Sequence, residues 1–137
     1  MTRSELREAV FQILFRFPFV DREEMEEQID LYFENDEEEF PGTLKNGNKE
    51  EIIDKVRSII EKLPEIDALI SEKATGWTLD RMGKVDITII RLAVYEILFD
   101  DKIPLGVSIN EAVELAKKYG RDESYIFVNG VLAKFGK

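Results

Sequence analysis

The feature that most constrains this chain is a run of punctuated helical periodicity from Trp77 to Phe135. Its middle pattern opens at Ser108, with Glu111 three residues later, the spacing of a capping box. Ile109, Ala112, Val113 and Ala116 recur at i, i+3, i+4 and i+7, which places them on one helical face. Gly120, after Lys117-Lys118-Tyr119, is expected to close that helix in a left-handed C′ conformation. The next pattern starts at Asp122 and sets Phe127, Val128, Val131, Leu132 and Phe135 on its apolar side. Gly130 falls inside it, at a cost of about 1 kcal/mol relative to Ala. That cost points to close approach by another backbone or a ligand.

The rest of the chain carries the same period. Thr2 and Glu5 form a capping box, and Leu6, Ala9, Val10, Ile13, Leu14 and Phe17 follow at helical spacing until Pro18 ends the run. Phe11 and Phe15 lie off that face, where an aromatic packs on a neighbouring helix or meets a partner. Phe15 is taken as the partner-binding candidate. Asp21 and Glu24 make a second cap-like pair before Met25, Ile29, Tyr32 and Phe33, the apolar edge of an acidic helix ending near Asn35.

From about residue 36 to 48 the period disappears into a charge run with Pro-Gly and Asn-Gly, which reads as a loop. Its carboxylates have no calcium-loop spacing. A third helix holds Ile52, Ile53, Val56, Ile59, Ile60 and Leu63, and Pro64 suits the first position of a fourth carrying Ile66, Leu69 and Ile70 and closing before Gly76. Trp77 through Met82 reads as a short helical turn that buries the only Trp. Asp86 reads as the N-cap of a helix containing Ile90, Leu92, Ala93, Ile97 and Leu98. Arg91 within that apolar run requires a carboxylate partner if buried, with Glu96 or a neighbouring carboxylate the candidate.

No useful period-2 alternation occurs, so the expected fold is all-α with about seven helices. A length of 137 residues suits one domain with a real core. The chain has neither Cys nor His, which removes disulfides, thiolate metal sites and the commonest general base and zinc ligand. Asp100-Asp101 and Asp122-Glu123 are adjacent carboxylates that point about 100° apart on a helix, a poor acid–base couple. No glycine-rich phosphate loop occurs, and no cofactor or metal is implied. No apolar run reaches the ~20 residues of a bilayer span, and charges interrupt the first helix too often for a signal peptide. The expected location is the cytoplasm.

The net charge of −10 is unevenly spread. Residues 21–54 hold three basic and fourteen acidic side chains, net −11, while residues 77–137 balance at nine of each. Nucleic-acid binding needs cations for phosphate and aromatics on which unstacked bases lie. Arg3, Arg7, Lys117, Lys118 and Arg121 are the candidate cations; Tyr119, Tyr125 and Phe127 are the candidate aromatics.

Trp77, Leu79, Arg81, Asp86, the run RLAVYE from Arg91, SINEAVELAKKYG from Ser108 and FVNGVL from Phe127 together resemble the NusB family of bacterial transcription antitermination factors. The blocks follow the family's order and approximate gaps over about sixty residues. The resemblance implies a single NusB-like domain over 1–137, made of two packed helical subdomains at about 1–76 and 77–137, with the acidic loop of about 36–48 at the periphery. It also implies a non-enzymatic factor that binds boxA-type single-stranded RNA of ribosomal RNA transcripts together with NusE, a small-subunit ribosomal protein. The RNA polymerase antitermination complex is the wider partner, and no membrane is involved.

By alignment of REAVFQILF, Arg7 matches a family arginine, and Arg3 matches another. Phe127 matches the aromatic that meets RNA, and Asp86 an acidic residue close to it. Glu5 and Glu8 dilute the N-terminal basic cluster that family members often carry, so weak RNA binding by the isolated chain is expected. The alternative is a protein-interaction module or homodimer of the same fold with weakened RNA binding. Certain RNA cytosine methyltransferases begin with such a domain, but the chain has no Cys nucleophile and its length leaves no methyl-transfer domain.

Overall fold

A computed structural model describes residues 1–39 and 48–136. Among these residues the fold is all-α: α1 (Arg3–Leu14), α2 (Met25–Glu39), α3 (Asn48–Lys73), α4 (Lys84–Phe99), α5 (Leu105–Tyr119) and α6 (Ser124–Ala133). Short 3-10 turns occupy Phe17–Phe19, Arg22–Glu24 and Leu79–Arg81. The chain divides into two compact units, Met1–Ser58 and Ile59–Lys137, and α3 contributes one portion to each.

Six α-helices replace the expected seven because α3 continues through Pro64. An interior proline removes a hydrogen bond and crowds the preceding turn, a cost of about 3 kcal/mol. Ile59, Leu63, Ile66 and Ile70 are nevertheless buried on both sides of Pro64 in unbroken helical register. Each such side chain contributes about 1.5–3 kcal/mol on burial, which offsets the proline. The helix ends at Lys73, before Gly76 as expected, where the chain makes a left-handed turn (φ 86°).

In the first unit, α1 opens with the expected capping box. The Glu5 N–H donates to Thr2 Oγ1 at 3.0 Å and the Thr2 N–H to Glu5 Oε1 at 2.7 Å. Leu6, Val10, Ile13 and Leu14 of α1 are buried, as are Met25, Ile29 and Phe33 of α2 and Ile52 and Val56 of α3. Phe11 joins this core, so the apolar face of α1 is broader than its strict i, i+4 stripe. The Tyr32 hydroxyl donates to Gln12 Oε1 at 2.6 Å, tying α2 to α1. Asp21 starts the 3-10 turn without a side-chain cap, and α2 extends past the expected end at Asn35 to Glu39. Residues 36–39 are therefore helical, and the remainder of the expected acidic loop, 40–47, lies outside the described residues.

In the second unit the C-terminal part of α3 shares a core with α4, α5 and α6, lined by Ile66, Ile70, Ile89, Ile90, Leu92, Ala116, Val128 and Leu132. Arg91 donates from Nε and Nη2 to the two oxygens of Asp67 on α3, both at 2.9 Å. Its partner is thus Asp67 rather than Glu96. The N-cap of α4 is Gly83, which puts Asp86 in the first turn, where a carboxylate favours the positive end of the helix. Helix α5 begins at Leu105, three residues before the expected Ser108, because the extended Pro104 carbonyl accepts from the N–H groups of Val107 and Ser108.

Gly120 caps α5 in extended backbone (φ −90°, ψ −172°), not left-handed. Glycine is required there by space, since a Cβ would lie 2.5 Å from Ser124 Cβ and 2.7 Å from the Ala116 carbonyl. Gly130 has the opposite surroundings. It is exposed, and a Cβ there would meet nothing within 4 Å among the described residues, so none of them approaches it closely.

Candidate nucleic-acid interface

The second unit gathers most of the candidate residues around the α5–α6 connection. Lys117 and Lys118 occupy the last turn of α5, where cations favour the negative helix end. Arg121 stands in the connection itself, and all three are exposed. Two hydrogen bonds tie the connection. The Arg121 N–H donates to Ser124 Oγ at 2.9 Å, while the Ser124 N–H returns a bond to the Arg121 carbonyl at 3.0 Å. This turn starts α6 at Ser124 instead of Asp122, and tight packing of Gly120 on Ser124 holds it in place.

The aromatics follow at once. Tyr125 is exposed in the first turn of α6, and the Lys117 ammonium sits 5.4 Å from its ring centroid. Lys117 also lies 3.6 Å from Glu114, with both side chains largely in water, so its charge is only lightly committed. Lys118 lies 5.5 Å from the Tyr119 ring. Phe127, half-buried, has its centroid 5.2 Å from that of Trp77, with the rings inclined at 63°. Trp77 was expected inside the core but is 50% exposed. The Gly76 turn carries the chain away from α3 before the indole, so the periodic face that would have buried it has already ended.

Arg81 and Lys84 add exposed cations on the stretch that follows Trp77, and Asp86 is half-buried in the first turn of α4. Asp80 is exposed, and a hydrogen bond from the Thr78 hydroxyl holds its carboxyl below the usual carboxylate range.

The first unit presents its arginines differently. Arg3 is exposed but engaged, its guanidinium donating to both Glu51 oxygens at 2.7 and 3.0 Å. That guanidinium holds the Glu51 carboxyl below its ordinary range. Arg7 is buried, at 6% exposure, rather than solvated. Buried among the α1 core residues, it acts within the fold in this conformation and does not offer its guanidinium to solvent. Sequence reading missed this because Arg7 sits next to Leu6 in a helix whose apolar face proved wider than its periodicity.

Phe15 is half-buried and links two rings. It stacks on Phe11 at 5.9 Å and meets Phe19 edge-on at 5.4 Å. Phe19, which periodicity did not single out, ends this series at 61% exposure. Among the described residues, no helix is long and apolar enough to cross a membrane.

Comparison with known proteins agrees with these blocks along the whole chain. The model of the NusB family matches residues 4–137. A transcription antitermination protein NusB of Agathobacter rectalis is 60% identical over 138 residues, covering 98% of this chain and 99% of that one. A protein of the same name from Lachnoclostridium phytofermentans is 51% identical over 134 residues, covering 98% of each. Among solved structures, Thermotoga maritima NusB aligns with a TM-score of 0.85 at 38% identity, covering 98% of this chain and 90% of its own. A chain in a structure described as that of a plectonemic RNA supercoil aligns with a TM-score of 0.83 at 28% identity, covering 97% and 92%. With a family match from residue 4 to the C-terminus, and relatives of the same length at half identity or better, the chain belongs to the NusB family.

Proposed function

We propose that this chain is a non-enzymatic transcription antitermination factor that binds boxA-type single-stranded RNA of ribosomal RNA transcripts together with NusE. Family membership and the names of the relatives support the antitermination role. The observation that carries the RNA half is the α5–α6 connection. There the exposed Lys117, Lys118 and Arg121 lead within a few residues to Tyr125 and Phe127. Cations beside accessible rings are what a single strand needs, phosphates for the first and unstacked bases for the second.

Arg3 contributes only by exchanging Glu51 for a phosphate, and Arg7 by supporting α1 from within. With its N-terminal arginines so committed, the isolated chain is a weak RNA binder that gains affinity in the NusE complex. The Phe11–Phe15–Phe19 series favours the protein half of the reading, because its exposed end on the first unit is a ready apolar contact for a partner chain. The same series suits the alternative, an interaction module or homodimer with weakened RNA binding.

Titration of labelled boxA RNA, with and without NusE and over a range of salt, tests this function. Arg121→Ala and Lys117→Ala should weaken all single strands alike and reduce the salt slope by about 0.7 per lost phosphate contact. Phe127→Ala should lose about 1–3 kcal/mol of binding with little change in slope. Arg7→Ala should instead lower thermal stability. If the Arg121 and Phe127 variants, folded and bound to NusE, hold boxA RNA as tightly as the parent, the RNA surface is wrong and the interaction-module reading replaces it.

A further inference from the structure

We propose that Trp77 and Phe127 form a two-walled aromatic notch in which Trp77 stacks an unpaired RNA base, with Phe127 as the side wall. The inference rests on the RNA-binding reading above and extends it to a residue that the candidate set omitted.

Three observations carry it. The first is exposure. Trp77 is the only tryptophan of the chain, yet half of it remains in water. Its stacking surface is not used up by the fold, because the contact with Phe127 is edge-type, 5.2 Å between centroids at 63°. Rings so inclined meet edge to face rather than stacked, and with half of Trp77 in water the pair forms a corner that a flat base can enter. Phe127 is the less exposed of the two, so the open face in the corner belongs mainly to the indole.

The second is rigidity. Gly76, the one glycine with positive φ among the described residues, turns the chain directly before Trp77, and the Trp77 N–H donates to the Ala74 carbonyl at 3.1 Å. Phe127 is fixed from the other side, its N–H donating to the Glu123 carbonyl at 3.3 Å in the opening turn of α6. Both rings therefore stand on anchored backbone, which lowers the ordering cost of binding.

The third is charge. On the stretch that follows Trp77, the exposed Asp80 is accompanied by the exposed Arg81 and Lys84, so that stretch carries charge of both signs. Three exposed cations, Lys117, Lys118 and Arg121, stand together just before α6, on which Phe127 lies. This division suits a single strand that lays its backbone along the α5–α6 connection and turns a base toward Trp77. A phosphate-only ligand would leave the indole unused.

The single tryptophan supplies its own reporter. The intact chain, with NusE already added, is titrated with boxA-type single-stranded RNA while tryptophan emission and labelled-RNA anisotropy are recorded together. Stacking should quench the Trp77 emission in step with the rise in anisotropy. Trp77→Ala should lower affinity about 5- to 100-fold at unchanged salt slope. Trp77→Phe, which keeps a ring, should recover most of the loss, and a Trp77→Ala/Phe127→Ala pair should be less than additive. Helical circular dichroism and NusE binding confirm that each variant is folded.

Full anisotropy change with unaltered emission, and full affinity in Trp77→Ala, would overturn the notch while leaving the proposed function standing. Quenching by NusE alone, lost together with NusE binding in Trp77→Ala, would assign the corner to a protein contact and likewise overturn it. Absence of RNA binding by the parent and NusE together would remove the proposed function, and the notch with it.

Discussion

The hydroxyl of Ser108 donates to Glu96 Oε1 at 2.9 Å, joining α5 to α4 inside the core of the second unit. Glu96 is fully buried and Ser108 nearly so. In sequence Ser108 has the spacing of an N-cap, yet it lies one turn inside its helix. Its hydroxyl is spent on a carboxylate twelve residues away rather than on the backbone. A buried carboxylate must be satisfied by hydrogen bonds, and that need outweighs a cap that Pro104 makes unnecessary.

Ser108→Ala should therefore destabilise the protein by about 1–3 kcal/mol, the range for withdrawing a partner from a buried group. A surface cap would cost toward the lower end of that range. Urea unfolding of Ser108→Ala, Glu96→Gln and the double variant checks it. Additive losses would mean that the two side chains do not interact.

Two glycines of the second unit should respond with opposite signs. Gly120→Ala forces a Cβ against Ser124 Cβ and the Ala116 carbonyl, neither of which can swing away, and should destabilise by about 1–3 kcal/mol. Gly130→Ala meets nothing within 4 Å among the described residues and removes an interior helical glycine, so it should stabilise by up to about 1 kcal/mol. Thermal melts of the two variants decide the matter, and a loss at Gly130 would reveal a close approach to that face.

Acid should erode the surface pairs of the first unit in a defined direction. The guanidinium of Arg57 holds the Glu26 carboxyl below its ordinary range, as Arg3 does for Glu51. A carboxylate whose pKa is depressed on folding adds stability above its unfolded pKa. That stability is lost as pH falls through the folded value. Both pairs are solvent-exposed, so each contributes only about 0.2–1 kcal/mol. Glu26→Gln should be slightly less stable than the parent at pH 7, and the gap should close as pH falls through the folded value of Glu26. Unfolding in urea across that range provides the test, and a gap that widened toward acid would reverse the assignment.

What the sequence by itself determined is the helical class and much of the core. Positions spaced at 3.6 residues declare a buried face whatever lies opposite, and Ile59, Leu63, Ile66 and Ile70, like Val128, Val131 and Leu132, are buried where their period put them. The Thr2–Glu5 capping box was equally legible, since all its atoms lie within one turn. Tertiary structure decided wherever a local signal met a distant demand. Pro64 reads as a break, but apolar side chains on both sides share one core and carry α3 through it. Arg91 needed a carboxylate, and only packing could choose Asp67 on α3 over Glu96 on its own helix.

The candidate interface divides in the same way. Lys117, Lys118, Arg121 and Tyr125 were legible as exposed groups because they lie at helix ends and turns. The burial of Arg7, the exposure of Trp77 and the notch it forms with Phe127 were not. Burial of a single side chain depends on which surface faces it, and that surface comes from residues far along the chain.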